Sequence, residues 1–179
     1  FDLNGAEIRT LLSLSTGDHP KEDIHEFHVK NIYRDITTRD KAKKRFFAWL
    51  YNPNSEDYLT ERFYDRDKVL KKYYHDGIVS TPLGRKIETD DFHALNYLLQ
   101  STSSDNCMQQ ACKINKFMRS TNSFVHSVVH DSMTIDLDLR DRHLLPQIQE
   151  IFEDTQLGWF RSSVHAGNNL RDLVEVSWS

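Results

Sequence analysis

The chain has 179 residues, 38% hydrophobic and 28% charged, with a formal net charge of −4. That length can bury a core and argues for one domain, or one domain with a lobe. No apolar run approaches membrane-spanning length and no secretory signal is present, so no membrane partner is expected. A uniformly basic surface is excluded, but a local cationic patch is not.

Residues 1–3 read as the end of a strand. A helix follows over 6–14, with Ile8, Leu11, Leu12 and Leu14 on its apolar face. Gly17-Asp18-His19-Pro20 ends it, a C-terminal Gly followed by Pro. Residues 22–33 read as a weaker helix carrying His25 and His28. The clearest helix covers 38–51. At 100° per residue, Ala42, Phe46, Trp49 and Leu50 fall within about 100° of arc. Arg39, Lys43, Phe47 and Tyr51 recur every four residues along the edge of that face, a stripe of two cations and two aromatics. Asn52-Pro53-Asn54 stops the helix.

Residues 58–74 read as a helix, Asp76-Gly77 as a turn, and 78–86 as a strand and turn with a basic tip. Residues 90–118 hold no Pro or Gly and read as one long helix, with Asn96 and Gln100 one turn apart. Next comes a β-hairpin. Residues 124–129 are apolar and β-branched, His130-Asp131 make the turn, and Met133, Ile135, Leu137 and Leu139 alternate with polar residues. A helix over 144–157 and a closing strand over 172–178 complete an α+β chain. Cys107 and Cys112, five apart on a helix, point about 140° away from each other. They suggest neither a disulfide nor a zinc site, which fits a reducing cytoplasm.

Four constellations carry possible chemistry, each with a plainer alternative. Asp2 and Asp131 are ordinary turn carboxylates unless the fold pairs them, in which case they repel until a cation joins them. The Arg39, Lys43, Phe47, Tyr51 stripe can grip a phosphate chain and stack a base or sugar; otherwise it is a solvated edge. His25 and His28 at i, i+3 lack a third ligand at zinc-like spacing and read as a surface pair, with His126 and His130 elsewhere. Asn96 and Gln100 can read a base edge from a groove, or simply face water.

Taken together, these segments resemble family A DNA polymerases, the DNA polymerase I-like enzymes, and among them those of short-tailed phages. Phe1-Asp2-Leu3-Asn4-Gly5-Ala6-Glu7-Ile8-Arg9 looks like the family's first palm motif, and Asp23-Ile24-His25 its Asp-Ile-His element. Arg39-x3-Lys43-x3-Phe47-x3-Tyr51 is similar to the fingers helix that closes on the incoming nucleotide. Leu83-Gly84-Arg85-Lys86 and Leu95-Asn96-Tyr97-Leu98-Leu99-Gln100-Ser101 look like segments that touch template and primer, and Val129-His130-Asp131-Ser132 the last palm motif.

The resemblance implies a right-hand polymerase part, without thumb or exonuclease domain: an antiparallel palm sheet with long helices, and helical fingers. Palm would cover 1–20 and 91–179, and fingers 21–90. It implies transfer of a dNTP to a primer 3′-hydroxyl on a DNA template, with two Mg²⁺ ions held by Asp2, Asp131 and the carbonyl of Leu3. Arg39, Lys43 and His25 would bind the β- and γ-phosphates, and Lys43 would protonate the leaving pyrophosphate. Phe47 would stack near sugar and base, with Tyr51 near the templating position beside Glu7, which blocks a ribose 2′-hydroxyl. Arg85, Asn96, Gln100 and His130 would contact DNA. The implied partners are primer–template DNA, dNTP and an N-terminal polymerase part. The implied setting is the cytoplasm of a bacterial or phage-infected cell.

The pattern departs from the family at Ser132, where Glu usually follows the Asp, and at Ala48 and Asn52, where Gly is frequent. Phe47 stands where some relatives have Tyr, which implies discrimination against 3′-deoxy nucleotides. The competing reading is a polymerase-like module that binds DNA or a partner without catalysis. A reverse-transcriptase-like reading fits less well, because the last motif is His-Asp rather than Asp-Asp.

Overall fold

In chain order the elements are β1 (Asp2–Leu3), α1 (Ala6–Ser15), α2 (Ile24–Asn31), α3 (Arg39–Tyr51), α4 (Tyr58–Tyr64), α5 (Arg66–Tyr73), β2 (Tyr74–His75), β3 (Ile78–Ser80), β4 (Lys86–Glu88) and α6 (Ala94–Phe117). There follow β5 (Phe124–Val129), β6 (Ser132–Asp136), a 3₁₀ turn (Leu139–Leu144), α7 (Leu145–Glu153), β7 (Asp154–Thr155), β8 (Gly158–Trp159), β9 (Ser162–Ala166) and β10 (Val174–Val176). This computed structural model describes residues 1–34 and 37–177. All strand pairings are antiparallel, so the class is α+β as expected. No helix among the described residues is long and apolar enough to cross a membrane.

Two compact units share the chain. One is Glu7–Thr102; the other joins Phe1–Ala6 to the chain from Ser103 onward. In the first, Ile8, Leu11 and Leu12 of α1, Ala42, Phe46, Trp49 and Leu50 of α3, and Leu98 and Leu99 of α6 form the core. Each such side chain, fully buried, contributes about 1.5–3 kcal/mol relative to exposure. The Trp49 indole donates to Glu61 at 2.9 Å, while the Arg66 guanidinium lies 4.4 Å from its ring and donates to the Trp49 carbonyl at 2.9 Å. These contacts anchor the C-terminal half of α3 and leave its basic edge outward.

The second unit is built on a five-stranded sheet in the order β10-β9-β1-β6-β5. Asp2 lies opposite Ser132 on one side and Ser163 on the other. Leu3, Met133, Cys107, Ala111, Ile114, Ile148, Phe152 and Phe160 fill the core behind it. The β5–β6 register shifts between Val125 and Ser127, a bulge at His126.

Several elements are shorter or more divided than their patterns imply. The helix expected over 58–74 breaks at Asp65, which takes a left-handed backbone (φ 52°), ends α4 and caps α5 through Lys68 N–H. The helix expected over 90–118 starts at Ala94, because the Asp90 carboxylate accepts from His93 N–H and holds 90–93 as a turn. The hairpin's second strand stops at Asp136, since Asp138 caps the 3₁₀ turn and leaves Leu139 exposed. The helix over 144–157 ends at Glu153 and gives way to the small β7–β8 hairpin. The helix over 22–33 spans only Ile24–Asn31, capped by Asp23. Strand β10 covers Val174–Val176 of the expected 172–178, and Trp178 lies outside the described residues. Strand β9 was not anticipated.

Candidate functional site

The sheet register brings the two acids together. Leu3 N–H donates to the Asp131 carbonyl at 3.1 Å, so Asp131, in the turn just before β6, lies next to the Asp2–Ser132 pair. Neighbouring strands lie about 4.8 Å apart. Burial and the nearby Asp131 carboxylate raise the Asp2 pKa, partly offset by the Phe1 amino group and His165. Carboxylates whose repulsion shows in this way are what a hard divalent cation relieves. Mg²⁺ is commonly held by one or two carboxylates plus substrate phosphates and water, so the pair suits it. The described residues contain no group of three or more His, Cys, Asp or Glu able to hold a metal ion. The Ser132 hydroxyl donates to the Val129 carbonyl at 2.9 Å and closes the hairpin instead. Leu3 is buried beneath the site. Cys107 is buried there too, its thiol pushed up to about 12 by burial and then by Asp131 and Asp2, so it stays protonated.

At the hairpin tip, His130 adopts φ 55°, a left-handed conformation that His tolerates better than most residues. The turn thus holds His130 outward next to Asp131. The bulged His126 is also exposed.

The second group of candidates lies on the Glu7–Thr102 unit. Phe47 and Tyr51, one turn apart on α3, stack with centroids 5.8 Å apart and planes at 11°. The Tyr51 hydroxyl donates to Glu7 at 2.7 Å, and burial, then Glu7, raise its pKa against a smaller effect of its hydrogen bond with Gln100. Glu7, Tyr51 and Gln100 thus form one polar network, although they come from α1, α3 and α6. Arg39 and Lys43 lie exposed on the outer edge of α3. The His25 ring sits 6.3 Å from Phe47. Burial, and then the cations Arg39, Lys43 and Arg9 against an opposing Asp23, bring the pKa of His25 down to about 4. His25 is therefore a neutral hydrogen-bonding group at neutral pH.

The reading of His25 and His28 as a surface pair is wrong: both are buried. The His28 ring shares a hydrogen bond with the Tyr64 hydroxyl and lies 4.9 Å from the Phe46 ring. On the other candidate surface, Arg85 is exposed at the β3–β4 turn, whose backbone closes through Thr81 and through Gly84 at φ 94°. Asn96 presents a buried Oδ1 with no hydrogen-bond partner among the described residues.

Sequence reasoning quoted Asp23 and Arg9 within motifs but missed that Asp23 holds Arg39 and that Arg9 holds the loop before Asp23. An Asp directly before an apolar helix was the available signal for the first. It also missed Ser163 and His165 of β9, on the strand flanking Asp2.

No protein-family model matches the chain, and no characterised protein matches it by sequence. By structure, it is similar to the polymerase domain of Pol1 from M. smegmatis, solved in complex with a DNA primer–template and dNTP. The likeness has a TM-score of 0.63 at 18% identity and covers 85% of this chain and 35% of that one. The chain therefore shares the fold of part of a DNA polymerase I polymerase domain.

Proposed function

We propose that this chain is the palm-and-fingers part of a family A, phage-type DNA polymerase that transfers dNTP to a primer 3′-hydroxyl. The observation that carries the proposal is the proximity of Asp2, on β1, to Asp131, in the turn that leads into the neighbouring strand β6, within a polymerase-like fold. Two Mg²⁺ ions, held by Asp2, Asp131 and the Leu3 carbonyl, would supply a lowered pKa for the attacking hydroxyl and charge neutralisation on the attacking and leaving oxygens.

The chain's own residues then have defined tasks. Arg39 and Lys43 bind the β- and γ-phosphates, and neutral His25 adds a hydrogen bond. Lys43 protonates the leaving pyrophosphate. Phe47 packs against base and sugar. Tyr51 orients the Glu7 carboxylate, which occupies the space a 2′-hydroxyl needs and so selects deoxyribose. Arg85, Asn96, Gln100 and His130 contact primer–template DNA. An N-terminal polymerase part is a further proposed partner.

Ser132, whose hydroxyl is spent on the hairpin, favours a second reading, a DNA- or partner-binding module without catalysis. Primer extension in Mg²⁺ and dNTPs by the protein carrying this chain separates the two. Asp131→Asn is expected to slow extension by about 10³-fold, as for loss of a principal electrostatic group. Extension by wild type that Asp131→Asn leaves undiminished would remove the carboxylate pair from the chemistry. DNA binding without extension in the wild type would favour the binding module.

A further inference from the structure

Arg39 and Asp23 form a two-pronged ion pair that decides which edge of the guanidinium remains for a ligand. Asp23 accepts from Arg39 Nε at 3.2 Å and from Nη2 at 2.8 Å. The same Asp23 oxygen that meets Nε also caps α2, accepting from His25 N–H at 2.9 Å and Glu26 N–H at 3.1 Å. One carboxylate thus fixes both the plane of the guanidinium and the start of the helix that carries His25. The loop before Asp23 is fixed in turn. Buried Arg9 of α1 donates to the carbonyls of Pro20 at 2.6 Å and Glu22 at 2.8 Å.

A guanidinium carries five N–H donors in a planar fork. With the Nε/Nη2 edge taken by Asp23, the Nη1/Nη2 edge remains. Its neighbour there is Asp40, 3.5 Å from Nη1 and 85% exposed, a weak solvated pair that a phosphate readily displaces. The nearby His25 ring carries a buried Nδ1 with no hydrogen-bond partner among the described residues.

Building on the phosphate-binding reading of α3, we propose that Asp23 is a positioning residue for the nucleotide triphosphate. It clamps Arg39 by one edge so that the other is preset for the β- and γ-phosphates. The clamp itself adds little to folding, because both partners are partly exposed, at 43% and 33%. Simple charge counting gives the opposite expectation, since deleting an anion beside a phosphate site should tighten binding. The two views therefore differ in sign.

The test is calorimetric titration of wild type, Asp23→Asn, Arg39→Ala and the double variant with dATP and, separately, inorganic triphosphate. Asn caps a helix as well as Asp does, so Asp23→Asn keeps α2 and removes only the charged clamp. Binding is expected to weaken about tenfold for both ligands, the order of one charge-assisted contact, with only a small drop in melting temperature because the clamp is partly exposed. The double variant should bind no more weakly than Arg39→Ala alone, because the effect runs through Arg39. Asp23→Ser, another good cap, should lose as much as Asp23→Asn. Binding by Asp23→Asn that equals or exceeds wild type, or losses that add in the double variant, would overturn the proposal. A wild type that binds neither ligand, or an Arg39→Ala variant that binds as wild type, would instead overturn the phosphate-binding reading on which it rests.

Discussion

Burial holds the pKa of His28 down at about 3 and that of His25 at about 4. In the unfolded chain both titrate near 6.5. Above that value both states are neutral and the pair contributes no pH dependence. Below it the unfolded chain takes up protons that the native chain refuses, so stability falls as pH drops from about 6.5 towards the folded values. Asp23, held at about 2 mainly by Arg39 against an opposing burial effect, acts lower, between about pH 4 and 2. Urea midpoints should therefore decline steadily from pH 7 to 5; a midpoint constant over that range would contradict the burial of the two rings. Individual residues were unevenly legible. The α3 stripe could be named from spacing, whereas Asp2 and Asp131 could be paired only through the resemblance, because spacing alone leaves each an ordinary turn carboxylate. The burial of His25 and His28 could not be read, because a polar ring on a weakly patterned helix reads the same whether it meets water or Tyr64. Asp23 was quoted as part of a motif, yet its grip on Arg39 depends on a contact between separate helices that no local pattern encodes.

Helix α3 was legible to within a residue because its apolar side chains occupy one arc and Pro53 stops it. The α4–α5 break was not, since charged and aromatic residues continue through it unchanged. What interrupts the helix is Asp65 in a left-handed backbone, with its carboxylate on Lys68 N–H. Asp65→Ala should lose the cap and strain the backbone, costing about 2 kcal/mol in denaturant titration. Asp65→Asn, which caps and tolerates that backbone, should be close to neutral. Equal stability of the Ala and Asn variants would mean that Asp65 does not set the break. Strand β9 escaped notice for another reason. Ser162, Ser163 and His165 make the segment mostly polar, and it becomes a strand only between β1 and β10.

The two units differ in how they are threaded. Glu7–Thr102 is one continuous stretch, whereas the other unit joins the first six residues to the chain from Ser103 onward. Loop closure disfavours early contacts between distant residues, so the continuous unit should become protected first in pulse-labelled hydrogen exchange during refolding. Simultaneous protection of β6 and α3 amides would contradict this. The fold class was legible from alternating strand and helix patterns, but the sheet order was not, because its central strand is two residues long.

That central strand has a consequence for how the protein is made. Phe1 hydrogen-bonds to Met133, 132 residues away, and Ser163 to Asn4 across 159. On a ribosome the strand bearing Asp2 emerges ahead of Glu7–Thr102, yet both of its sheet neighbours emerge only after that stretch is complete. The carboxylate pair is thus assembled only once β6 has emerged, and a nascent chain stalled before β6 carries one acid without the other.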